Sequence, residues 1–151
     1  MQNFGKKILV DGDTVRKYIT YELKYTKQDR KRNSLLISNL CNFLESQGFI
    51  VICSILSIFR EHQRLNRIKY DNYFQIYINS EISKLEKRNN KNIYSHAEVV
   101  GKKIDFPTPY KNDIIVKNNF LPYTQKKINQ IMKRIDNVKT NKKKYKKLQK
   151  S

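Results

Sequence analysis

The sequence predicts an α/β fold, a parallel sheet with helices packed along it. Three observations carry this expectation. The short apolar run Ile8-Leu9-Val10 ends abruptly in Asp11-Gly12-Asp13. A second run, Phe49 to Ile55, is continuously apolar, the pattern of a central parallel strand covered on both faces. Strand-like and helix-like segments then alternate, which implies parallel strands joined by right-handed crossovers.

The first strand is followed at once by a short helix marked by Val15, Ile19 and Leu23, with Asp13 or Thr14 as its cap. Thr26-Lys27-Gln28-Asp29 reads as a capping box. It opens a helix from about Lys27 to Gln47 that places Leu36, Leu40, Phe43 and Leu44 on one face and stops at Gly48. After the second strand, Leu56-Ser57-Ile58-Phe59-Arg60 forms another carboxyl-end loop, and a polar helix runs to about Tyr70. Tyr73–Ile78 is a third strand, Ile82–Arg88 a short helix, and Ile114-Ile115-Val116 a fourth strand. Between them, 89–112 is irregular and rich in Asn, Lys and Pro, as a lid or binding loop would be. Ile128, Ile131, Met132, Ile135 and Val138 form a stripe at helical spacing, read as core packing.

At 151 residues, 38% hydrophobic and 30% charged, the chain suits one globular domain with a proper core. Residues 1–138 make that domain, and 139–151 are expected to be a disordered basic tail. The net charge of +19 asks for an acidic partner: nucleic acid, an anionic membrane or a polyphosphate ligand. Much of the excess lies at Lys139, Lys142, Lys143, Lys144, Lys146, Lys147 and Lys150, and a Lys-, Asn- and Ile-rich chain carries a solvated basic surface whatever it does. No nucleic-acid motif, membrane-length run or signal peptide is present, so a cytoplasmic protein without specific nucleic-acid or membrane partners is expected. Cys41 and Cys53 lack metal-ligand spacing and sit in apolar contexts, which favours buried free thiols.

Acids delivered to the carboxyl end of a strand lie where α/β sheets bind ligands, and there they can hold Mg²⁺ or take a proton from a hydroxyl. The plainer reading of Asp11 and Asp13 is a helix cap. Arg30 and Arg32 in the first turn of the second helix are out of place, because cations are disfavoured at a helix start. An anion docked there would account for them.

The ordered set Val10-Asp11-Gly12-Asp13-Thr14-Val15-Arg16, Asp29-Arg30 with Asn33, Ser54-Ile55-Leu56-Ser57 with Arg60, Lys91-Asn92-Ile93-Tyr94, and Val100-Gly101 through Phe106-Pro107-Thr108-Pro109 resembles adenylylsulfate kinase. The similarity runs from about Lys7 to Val116. It implies a P-loop nucleotide kinase-like three-layer sandwich that passes the γ-phosphate of ATP, with Mg²⁺, to the ribose 3′-hydroxyl of adenylyl sulfate. By that resemblance Asp13 is the base, or the water-mediated Mg²⁺ partner, at the acceptor hydroxyl, and Asp11 supports it and the metal. Arg16, Arg30 and Asn33 grip the acceptor, Leu56 and Ser57 belong to the loop beside it, and Lys91 and Tyr94 open the lid. A homodimer is part of the same expectation.

Departures from the family's pattern accompany the likeness. Its Gly-rich phosphate loop lies upstream of the Asp-Gly-Asp motif, where this sequence has only Met1–Lys7, so the kinase-like domain reads as truncated at its N-terminus. Ile58 stands where the family has proline, Ser95 and His96 where it prefers lysines, Glu98 at a basic position and Lys103 at an aspartate. These leave two alternatives open: a non-catalytic nucleotide-binding remnant, or a kinase of another nucleotide conjugate, as in surface-polysaccharide synthesis.

Overall fold

A computed structural model describes residues 6–70, 72–87, 100, 104–120 and 125–148, with residue 127 and those from 138 onward given by backbone alone. Strands β1 (Lys7–Asp11) and β2 (Ile50–Ser54) pair in parallel, with Asp11 opposite Ser54 at the carboxyl end. Helices α1 (Gly12–Tyr18) and α2 (Lys27–Ser46) form the crossover between them, and α3 (Arg60–Lys69) follows β2. Strands β3 (Ile76–Asn79) and β4 (Ile114–Lys117) make a second parallel pair, with the short α4 (Ile82–Lys87) after β3 and the long α5 (Gln125–Leu148) after β4. The α/β class and the parallel strands are as expected. The single sheet is not: the described strands form two separate pairs.

Two compact units follow from this. One lies within Met1–Tyr73 and Lys91–Tyr110, the other within Phe74–Asn90 and Lys111–Ser151. In the second, Asp113 accepts a hydrogen bond from the Gln75 backbone N–H at 2.7 Å, which fixes the start of the β3–β4 pair.

The core of the first unit is Val10 from β1, Val15 from α1, and Ile37 and Cys41 from α2, with Leu40, Leu44, Val51, Ile55 and Tyr70 packed around them. The buried face of α2 is therefore Asn33, Ile37 and Cys41, spaced four apart, flanked by Leu40 and Leu44. The expected stripe is corrected by this: Leu36 and Phe43 point outward and stay exposed. Several apolar faces compete along this helix, and contact with β1 and β2 selects among them. A second cluster joins Ile58 and Phe59 to Ile104, with Val100 and Phe106 against it.

Helix ends follow the chemistry of the chain. Thr26 caps α2 by accepting from the Asp29 N–H at 3.1 Å, as read, while the Asp29 carboxylate accepts from the Thr26 hydroxyl at 2.9 Å and the Lys24 N–H at 3.2 Å rather than from the Thr26 N–H, so half of the capping box forms. Gly48, with φ +84°, takes the left-handed turn that a side chain would oppose. The cap of α1 is Asp11, not Asp13 or Thr14: its Oδ1 accepts from both the backbone N–H and the hydroxyl of Thr14 at 2.9 Å.

Two further expectations are revised. β2 is not covered on both faces, since Ile52 is 54% exposed, as is Leu9 of β1 at 67%. The chain also does not lose structure at Lys139, because α5 continues as helix to Leu148. No helix of the described residues is long and apolar enough to cross a membrane.

His62 of α3 is buried, with Nδ1 3.0 Å from the Ser34 hydroxyl. Burial pushes its pKa below the ordinary imidazole value, against the opposing pull of Glu61. The unfolded chain therefore binds this proton more readily, and stability falls as pH drops through about 6.5. Urea unfolding at pH 7.5 and 5.5 should show a loss in the wild type that His62→Gln reduces. An unchanged loss in that variant would contradict the assignment.

Candidate functional site

The Asp11-Gly12-Asp13 turn sits where β1 hands over to α1, pressed against the end of β2. A Cβ on Gly12 would lie 3.2 Å from the Ser54 carbonyl oxygen and 3.6 Å from the Ile55 Cα. Both are backbone atoms that move only if the strand end moves. Gly12→Ala is thus expected to cost about 1 kcal/mol through crowding, although alanine is the better helix former. A lower urea midpoint checks this; a higher one would contradict it. Asp11 is turned into its capping role, while Asp13, in the first turn of α1, is exposed.

One turn along α1, Arg16 reaches back to the segment before α2. Its Nη1 donates to the carbonyl oxygens of Leu23 at 2.8 Å and Lys24 at 2.6 Å. Its guanidinium lies 4.7 Å from the centre of the Tyr25 ring. Arg30, from the first turn of α2, comes to the same ring at 5.2 Å and donates from Nε to the Tyr25 carbonyl at 2.9 Å. Asn33, one turn further and buried, accepts from the Thr20 hydroxyl at 2.6 Å. Arg16, Arg30 and Asn33 therefore each contact the 20–25 segment.

The hub of that gathering, Tyr25, escaped the sequence reading. The usable signal was an aromatic between two arginines of different helices, Arg16 nine residues before it and Arg30 five after. Each cation–π contact is worth ~0.5–1 kcal/mol at an exposed site. Each guanidinium also holds backbone carbonyl oxygens of the 23–25 segment.

Ser57 and Leu56 lie in the loop after β2, Leu56 exposed and Ser57 half-buried. The Ser57 carbonyl accepts from Gln63 Nε2 at 3.0 Å, and Gln63 Oε1 accepts from the Tyr110 N–H. Gln63, buried and also absent from the sequence reading, thus ties this loop to the 105–110 segment. Ile58 is buried beside Phe59, so a bulky side chain in the place of proline serves as core. An open cleft of about 740 Å³ runs between Lys27, Gln28 and Lys31 of α2 and Ile58, Phe59 and Pro107. Lys91 and Tyr94 lie outside the described residues.

Two neighbouring carboxylates suit Mg²⁺, which takes one or two of them and fills its octahedron with water and phosphate oxygens. Among the described residues no group of three His, Cys, Asp or Glu converges.

Comparison with known proteins decides the family. The adenylylsulphate kinase family model matches residues 1–117. The chain belongs to the adenylylsulphate kinase family. Cytidine diphosphoramidate kinase of Campylobacter jejuni is 31% identical over 134 residues, covering 85% of this chain and 78% of the relative. Adenylyl-sulfate kinase of Gloeothece citriformis is 29% identical over 142 residues, covering 91% and 80%. Among solved structures, the Mycobacterium tuberculosis APS kinase in complex with AMPPNP and APS superimposes with a TM-score of 0.72, at 19% identity, over 89% of this chain and 82% of that one. The kinase fold of the family is thereby established for this member, and two acceptor chemistries appear among its relatives.

Proposed function

We propose that the chain carries the acceptor half of an ATP-dependent kinase, one that phosphorylates a sugar hydroxyl of a nucleotide bearing an anionic or polar group on its 5′-phosphate. The observation behind this reading is the Arg16–Tyr25–Arg30 cluster, on the helices that flank the Asp11-Gly12-Asp13 turn. On binding, a guanidinium leaves the ring for the phosphate and its substituent, and the ring face so uncovered takes the base. Asp13 is the group that receives the hydroxyl proton or orients it through water. Asp11 holds the turn that aims Asp13 and, with it, would hold Mg²⁺. When bound, that ion neutralises charge on the nucleotide phosphates. Ser57 and Leu56 border the acceptor, and Lys91 and Tyr94 belong to its lid by family likeness.

Adenylyl sulfate is the acceptor we favour from the family match over residues 1–117. A cytidine conjugate is the second reading, supported by the 31% identity to the Campylobacter jejuni enzyme. The donor triphosphate, in this proposal, is held by a Gly-rich loop on a strand outside these 151 residues, since the sequence contains no Gly-x-x-x-x-Gly-Lys-Ser/Thr run. That strand would pair with an edge of the β1–β2 sheet and cover apolar surface such as Leu9 and Ile52, which stand exposed.

Calorimetric titration of adenylyl sulfate and of cytidine diphosphoramidate into the chain tests the acceptor. One of the two should bind at least tenfold more tightly than AMP or CMP. Binding of neither sinks the proposal.

A further inference from the structure

Gln63 of α3 is only 4% exposed, yet both ends of its carboxamide are engaged by backbone. Nε2 donates to the Ser57 carbonyl at 3.0 Å, and Oε1 accepts from the Tyr110 N–H. Apolar contact runs along the same seam: Ile58 and Phe59 pack on Ile104, with Phe106 against them. The Tyr110 ring is held from α3 as well, with the Arg64 guanidinium 4.9 Å from its centre.

This seam borders the acceptor side. The Ser57 loop begins just past Ser54, which pairs with Asp11 and whose carbonyl lies against Gly12. The open cleft has the first turn of α2, which carries Arg30, on one side and Ile58, Phe59 and Pro107 on the other. We propose that Gln63 is a positioning residue for the acceptor nucleotide: its two hydrogen bonds hold the Ser57 loop and the 104–110 segment together as one wall of the acceptor site, and acceptor affinity depends on them. The inference rests on the acceptor reading given above.

The two partners demand a carboxamide. Ser57 presents an acceptor and Tyr110 a donor, so the side chain between them needs one of each at its tip. Asparagine, a methylene shorter, cannot span the two. Glutamate keeps an acceptor for Tyr110, but once ionised it has no proton for Ser57 and sets a negative charge against that carbonyl oxygen. Burial and the facing carbonyl both disfavour that charge, so the carboxyl of Gln63→Glu should titrate above the ordinary glutamate value. Protonated, it regains the donor.

The test is calorimetric titration of adenylyl sulfate and cytidine diphosphoramidate into the full chain and into Gln63→Glu, from pH 8 to pH 5.5. At pH 8 the variant should bind roughly tenfold more weakly than the wild type. The deficit should shrink to about twofold at pH 5.5, as the carboxyl takes up its proton. Arg60, Glu61, His62 and Arg64 on the same helix and Asp105 in the facing segment are common to both proteins, so the ratio of affinities isolates position 63. A folded variant that matches the wild type at pH 8, or a deficit that does not change with pH, would overturn the proposal. A wild type that binds neither nucleotide would instead sink the acceptor reading. Amide hydrogen exchange without nucleotide then decides whether Gln63 holds the wall: at pH 8 the variant should exchange about tenfold faster than the wild type at 56–60 and at Tyr110 alike. A rise confined to one of the two, or absent from both, would overturn it.

Discussion

With ATP, Mg²⁺ and adenylyl sulfate, the 151-residue chain alone is expected to release ADP at background rate, and the same chain joined to an upstream strand and Gly-rich loop should exceed it by about 10³-fold or more. Phosphoryl transfer asks little covalent help of a protein, so positioning and charge stabilisation account for most of the acceleration. Asp11 and Asp13 can attract a cation, but they cannot orient a γ-phosphate. The backbone amides and lysine of a phosphate loop do that, and the loss of a single such donor in comparable sites costs about 10²–10³ in rate. The same addition should cover exposed apolar residues of β1 and β2, among them Leu9 and Ile52, and so reduce aggregation. A coupled ADP-release assay on both proteins reads the first effect and light scattering the second. Strong turnover by the unfused chain would refute this account and place the donor site elsewhere in the sequence. Failure of the fused protein, if folded, would favour the reading of a non-catalytic remnant.

Arg30→Ala is expected to weaken acceptor binding by roughly tenfold to a hundredfold, the loss of a charge-assisted contact worth about 1.5–3 kcal/mol. Arg30→Lys should fall between this variant and the wild type. A lysine keeps the charge but loses the fork, and it cannot lie flat on Tyr25 while donating to the Tyr25 carbonyl as Nε now does. Arg16 is a less clean probe. It also holds the Leu23 and Lys24 carbonyls, so Arg16→Ala would loosen the 20–25 segment along with any ligand contact. Equal affinities for wild type and Arg30→Ala would remove Arg30 from the site.

Much of this arrangement was legible in the chain. The apolar runs Ile8–Val10 and Phe49–Ile55 located β1 and β2, because a strand with parallel neighbours leaves a short apolar signature. Thr26 announced its helix start through the hydroxyl that accepts from the Asp29 N–H. The cations at that start stood out in the chain as places for an anion, and the structure adds that Arg30 lies on the Tyr25 ring. What stayed hidden depended on tertiary neighbours. Periodicity could not choose among the apolar faces of α2, because Leu36 and Phe43 are as apolar as Ile37 and Leu44 and only contact with the sheet separates them. The exposure of Ile52 could not be read from composition, since coverage of a strand is a property of what lies beside it. Tyr25 gained its meaning from side chains arriving from two helices. Gln63 matters because one amide side chain meets two loops at once. The long basic stretch after Val138 looked structureless because lysine repulsion opposes a helix. Lysine is nevertheless a good helix former, and α5 continues through it.

The central claim is that an acceptor nucleotide binds on the Tyr25 ring between Arg16 and Arg30, and a three-way titration tests it most directly. Whichever of adenylyl sulfate and cytidine diphosphoramidate binds the wild type is titrated, under identical salt, into Tyr25→Phe and Tyr25→Ala. The account predicts that phenylalanine, which keeps the aromatic face, retains affinity within about twofold, while alanine loses roughly tenfold or more, the stacking on a base being worth ~1–3 kcal/mol. Equal affinity of Tyr25→Ala and the wild type, with both proteins folded, would contradict it.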